Sequence, residues 1–221
     1  MKLDEFRTAN APVEGDETFQ LENSKLLDVA LDGSVMARAG SMIAYTGDIS
    51  FSGKASAEGG ITGFLKGAAL GEGTPVMEAT GNGHVYLADQ GKRVQVIDLA
   101  ADEELSVNGN DVLAFESDVD YEVRTIDSIA GSSAGGLTNV FLSGPGTVAI
   151  TTYGDPLVLT PPVRTDPDAT VAWSGTAPGG NVNRSLSDLV GQSSDETYQL
   201  DFTGSEGFVI VQPFEEGHTR Q

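Results

Sequence analysis

A chain of 221 residues, of which 39% are hydrophobic, can bury a sizeable core as one large all-β domain or two ordinary ones; its composition excludes a disordered chain and a bundle of membrane-spanning helices. Thirty-three acidic residues against twelve basic ones leave a net charge of −21. That balance disfavours nucleic acid as a partner, because phosphate neutralisation needs clustered cations, and the absence of cysteine excludes disulfides, thiolate metal sites and cysteine nucleophiles.

The N-terminal stretch MKLDEFRTANAPVEGDETF has no apolar run after its first charges, so no secretory signal is expected and the expected location is cytoplasmic. From there onward the acids are dispersed, in DEF, DEE, DVD, DPD and FEE, among strand-like apolar runs. This is the pattern of a folded acidic surface rather than an acidic tail. Self-repulsion on that scale calls for salt, which at molar ionic strength screens charges within about 3 Å. A salt-accumulating, halophilic cytoplasm is therefore the expected habitat.

Twenty-eight glycines, nine prolines and short alternating runs predict many strands joined by tight turns. Two markers recur along the chain. Residues 1–95, a first β repeat with an N-terminal extension, carry SMIAY ending at Tyr45 and then a glycine turn into GNGHVYL with Val85. Residues 96–155, the second repeat, carry DVLAF ending at Phe115 and then GPGTVAI with Val148. Residues 156–212, the third, carry ATVAW ending at Trp173 and then GSEGFVIV with Val209, and residues 213–221 are a flexible tail. The constant order of both markers predicts an internal repeat. Strand alternation puts Ile43 with Tyr45, Leu113 with Phe115 and Val171 with Trp173 on one face, the alanine between them on the other, and the aromatic in the core. By the same rule Val85 with Leu87, Val148 with Ile150, and Val209 with Val211 form a buried aliphatic face.

Between the markers, GGITGFLKGAALGEG places Ile61, Phe64, Leu65, Ala68 and Ala69 at helical spacing, weakened by Gly63 and Gly67. NRSLSDLVGQ offers Leu186, Leu189 and Val190 with Gly191 as a stop. Both read as short caps over a sheet edge. Membrane adsorption through residues 61–70 is the alternative, although Lys66 is the only cation there and interfacial helices carry a basic face.

Chemistry is thinly represented. His84 has Thr147 and Phe208 at the equivalent places, which is not how a repeated ligand position behaves, and His218 lies in the polar EEGHTRQ tail. GSSAG, residues 131–135, fits the G-x-S-x-G elbow with Ser133, but a strand pattern rather than a helix follows, and the only downstream histidine is His218. GDISFSGKA misses a phosphate loop, with five residues between Gly47 and Gly53 and Ala55 where a hydroxyl belongs. Asp118 with Asp120 and Asp166 with Asp168 could hold a hard cation, but no calcium-loop pattern frames them and solvated surface is the reading adopted. Trp173, aligned with Tyr45 and Phe115, reads as core. No catalytic, cofactor-binding or metal-ligating residue is assigned.

The ordered run AGSMIAYTGDISF, GGITGFLKGAALGEG, GNGHVYLA, GLTNVFLSGPGTVAI and FTGSEGFVIVQ resembles the altered-inheritance-of-mitochondria protein 24 family, from about Phe19 to Gln212. The resemblance implies a fold like the tryptophan RNA-binding attenuation protein (TRAP): an all-β chain of three TRAP-like repeats related to a double-stranded β-helix, with short helical or Gly-rich connections. It also implies a ring-like homotrimer, and its mitochondrial relatives organise inner-membrane architecture. No mitochondrial targeting segment is visible here, and the surface lacks the cations of an RNA binder. The function expected is non-catalytic assembly, scaffolding or binding of a small-molecule or protein partner. The alternatives are a membrane-surface organiser using residues 61–70 and, less favoured, a serine hydrolase using Ser133.

Overall fold

Alternating runs broken by glycine ask for strands whose two faces meet different surroundings. The computed structural model describes residues 1–13, 15, 17–54, 76–126, 137–179 and 199–216. Apart from a helix at Leu3–Ala9 and a 3-10 turn at Pro167–Ala169, its elements are strands. In chain order these are β1 (Phe19–Asn23), β2 (Leu26–Arg38), β3 (Met42–Lys54), β4 (Val76–Leu87), β5 (Arg93–Leu99), β6 (Glu104–Asn108), β7 (Val112–Glu116) and β8 (Asp120–Ile126). There follow β9 (Leu137–Ser143), β10 (Gly146–Thr152), β11 (Leu157–Leu159), β12 (Val163–Thr165), β13 (Thr170–Ser174), β14 (Leu200–Phe202) and β15 (Phe208–Val211).

All pairings between these strands are antiparallel. One sheet runs β3-β4-β2-β7-β10-β5 with β1 beside β2; a second runs β11-β15-β13-β6-β9-β8; β12 and β14 form a small third. The main core joins the two large sheets, with Phe115, Val148 and Ile150 from the first and Leu105, Val140 and Leu142 from the second. A second cluster, including Phe19, Leu27, Val85 and Leu113, belongs to the first sheet alone. A third, Trp173, Leu200, Phe202 and Val209, ties the second sheet to the small one.

The recurring markers meet one another in space. Tyr45 pairs with Val85, Phe115 with Val148, and Trp173 with Val209. In each pair the register skips one residue just before the alanine, leaving Ile43, Leu113 and Val171 as the extra residue of a β-bulge. The bulge corrects the expected alternation. Leu113 and Ala114 both enter one cluster while Phe115 enters another, and Val171 and Ala172 share a cluster that excludes Trp173.

Tyr45 departs from the expectation of an inward aromatic. Phe115 and Trp173 are buried, but Tyr45 is 48% exposed and Ile43 is 62% exposed. The reason is position: β7 and β13 are interior strands, whereas β3 is the last strand of its sheet, where the Tyr45 ring meets Phe51 edge-on, 5.3 Å away. The GNG stretch is likewise no turn. Gly81 and Gly83 lie inside β4, where a Cβ on Gly83 would stand 2.0 Å from the Thr46 carbonyl oxygen and one on Gly81 2.0 Å from that of Asp48. Of the buried aliphatic face, Val85, Leu87, Val148, Ile150 and Val209 are fully enclosed and Val211 partly so.

Candidate functional site

Edge strands expose unpaired backbone groups, and proteins usually guard them with charge. In this highly acidic chain two of the four terminal strands of the large sheets, β3 and β11, also expose apolar side chains. On β3, Met42, Ile43 and Tyr45 are exposed; on β11, at the border of the second sheet, Leu157 and Val158 are 57% and 59% exposed although they adjoin in sequence. Neighbouring strand residues point to opposite faces, so β11 is uncovered on both.

His84, expected to be a bystander of the strand pattern, has a carboxylate partner that the sequence did not indicate. Its Nδ1 lies 3.0 and 3.1 Å from the two oxygens of Asp28. The register of β2 with β4 sets Ala30 opposite His84 and Asp28 opposite Tyr86, so Asp28 reaches the imidazole diagonally. Asp28 is buried and His84 half-exposed. Burial raises the Asp28 pKa, His84 opposes the rise, and the charge of Glu22 adds to it. Burial also raises the pKa of Tyr86, which stacks beside the imidazole at 6.4 Å, and the Asp28 and Glu22 charges reinforce this.

A denser constellation lies where β5, β7 and β10 begin or end. Lys92, one residue before β5, is 4% exposed, and Asp111, one residue before β7, is 1% exposed. The Lys92 ammonium donates to Asp111 Oδ1 at 2.8 Å, to Glu216 Oε1 at 2.5 Å and to the Asn110 carbonyl at 3.3 Å, and stands 4.8 Å from the centre of the Tyr153 ring. Asp89, 3.6 Å from the same nitrogen, is held instead by Arg38 at 2.7 Å. Gln212 braces the C-terminal side, donating to Glu216 and accepting from the Tyr153 amide. Burial drives the Asp111 pKa well above the carboxylate range; Lys92 resists and the Glu216 charge adds to the rise. For Lys92, burial favours the neutral amine, but Asp111 and Glu216 together outweigh it and raise the pKa. Asp111 Oδ2 is buried with no hydrogen-bond partner among the described residues.

Asp166 serves a turn: its Oδ1 accepts from the Asp168 amide at 2.7 Å, capping the 3-10 turn. Asp118 and Asp120 are exposed. Among the described residues no group of three or more His, Asp or Glu is gathered as a metal shell, and no helix is long and apolar enough to cross a membrane. Ser133, residues 61–70, residues 186–191 and His218 lie outside the described residues. Trp173 is packed in the core at 5.5 Å from Phe202, edge to face.

Comparison with curated proteins finds no match. Among solved structures, the crystal structure of a Streptococcus pyogenes protein is similar in fold, with a TM-score of 0.68 at 20% identity over 90% of this chain and 93% of the other. A family model described as mitochondrial biogenesis AIM24 matches residues 19–214, from the first strand to just beyond the last, so the chain belongs to that family.

Proposed function

We propose that this protein is a non-catalytic assembly or scaffolding protein that works as a homotrimer of a three-repeat β unit. The observation that carries the reading is the pair of apolar edges, Met42, Ile43 and Tyr45 on β3 and Leu157 with Val158 on β11, left uncovered in a chain of net charge −21. The two edges differ, so copies meet head to tail, and a head-to-tail contact that closes gives a ring. Three as the number of copies follows from the family resemblance. The repeat is supported by the three marker pairs, which share one register and one bulge position. Association covers exposed strand edges, which is the physical return for placing apolar side chains there. Sedimentation equilibrium in molar potassium chloride is expected to give three times the chain mass of 23.0 kDa. The double variant Ile43→Lys/Leu157→Lys is expected to sediment as a folded monomer. A monomeric parent protein would overturn the proposal.

A further inference from the structure

Lys92, Asp111 and Glu216 form a buried amine, carboxyl and second carboxyl in mutual contact, more than any ion pair at a strand end requires. Lys92 Nζ touches Asp111 Oδ1 at 2.8 Å, so it stands within reach of the carbon that bears that oxygen. The opposite oxygen, Oδ2, is sealed from water without a hydrogen-bond partner among the described residues. Glu216 touches the same nitrogen at 2.5 Å, so the two carboxyls meet at one amine.

We propose that Lys92 and Asp111 join spontaneously in an intramolecular isopeptide bond, with Glu216 moving the protons. The Nζ–Cγ bond forms and the Cγ–Oδ1 bond breaks, leaving Oδ2 as the carbonyl oxygen of the new amide. Of the three ammonium protons, one stays on the amide nitrogen and two leave with Oδ1 as a single water molecule. Glu216 takes a proton from Nζ, freeing the lone pair, and passes it to Oδ1, the oxygen that meets the same nitrogen; once the Nζ–Cγ bond has formed a second proton follows the same route, so that Oδ1 leaves as water. No oxidant or reductant takes part. The reaction removes two opposite charges from a dry site, where each is costly to hold. Fixed contact between nitrogen and carboxyl supplies the effective concentration that amide formation lacks in water.

Asp111 is the carbon attacked rather than the others in contact. Asp89 is held by Arg38, and Glu216 is the more exposed of the two carboxyls on the nitrogen, which suits it to hold and pass a proton. The new bond would staple β5 to β7, the two strands that flank β10, across a separation of 19 residues.

Intact-mass measurement of the full chain, incubated folded in molar potassium chloride, is expected to give a mass one water below that of the sequence. Peptide mapping should place the loss on a branched peptide joining Lys92 to Asp111. Lys92→Arg and Asp111→Ala should keep the full mass. Glu216→Gln, checked for folding by circular dichroism, should slow or stop the loss of water. A parent chain at full mass, or one whose branch joins other residues, overturns the proposal; a folded Glu216→Gln protein that cross-links as fast as the parent overturns the role of Glu216.

Discussion

Asp28 is a carboxylate placed where burial opposes its charge and one histidine resists that opposition. Its folded pKa is raised above 3.8. Below 3.8 the folded and unfolded chains both hold the proton; as pH rises, the unfolded chain releases it first, so stability falls through the raised folded value. Asp28→Asn removes that loss. The stability of Asp28→Asn relative to the parent should therefore grow between about pH 3 and about pH 6, measured by denaturant unfolding at matched salt. A difference that stays constant over the range contradicts the assigned direction. Aromatic positions offer a second residue-level contrast. Trp173→Ala opens a cavity between the second sheet and the small sheet and should cost about 3–5 kcal/mol, whereas Tyr45→Ala, on an exposed edge, should change the stability of the isolated chain by less than about 1 kcal/mol. Equal losses at both positions would mean that the two rings are enclosed alike.

At the level of elements, the three bulged pairs explain what the sequence could and could not disclose. The marker of an aliphatic residue, an alanine and an aromatic was legible because each bulge uses the same residue types in the same order at Ile43, Leu113 and Val171. Their facing was not legible, because a simple period of two fails wherever one strand inserts a residue. Nor was burial. Tyr45 carries the same local signature as Phe115, and only the strands on either side, brought from far along the chain, distinguish an edge from an interior. The polar sites were hidden for the same reason: His84 lies 56 residues from Asp28, and Lys92 lies 124 from Glu216. Lys92 in DQGK and Asp111 in NGND have the composition of ordinary surface turns. The GNG glycines read as a turn but serve the close approach of β3 and β4. Gly83→Ala, with φ at +147° and a Thr46 oxygen 2.0 Å from the new Cβ, should cost well over about 1 kcal/mol. Gly40→Ala, at φ +87° with nothing within 4 Å, should cost only about 1–2 kcal/mol of conformational strain. Unfolding both variants separates the packing term from the backbone term; equal losses would remove the close-approach explanation.

For the whole molecule, charge and edge pull in opposite directions. Twelve cations cannot neutralise thirty-three acids, and among the described residues Arg7, Arg38, Lys92, Arg93, Arg124 and Arg164 already have carboxylate partners. A compact chain in this state repels itself, and copies brought together at β3 and β11 repel one another as well. Salt weakens both repulsions, shortening the screening length from about 10 Å at 0.1 M to about 3 Å at 1 M, while a kosmotropic salt would also favour the burial that the proposed contact gives the exposed Ile43, Leu157 and Val158. Assembly multiplies the charge confined in one particle, so it should be the more salt-dependent of the two processes. On raising potassium chloride from about 0.1 M to about 2 M, the unfolding temperature is expected to climb, and the sedimenting mass to pass from that of the chain to three times it over the same range. Differential scanning calorimetry and sedimentation on one dialysis series read both quantities. A flat or falling unfolding temperature would mean that the acidic surface is not an adaptation to salt, and a mass independent of salt would separate the edges from the charge.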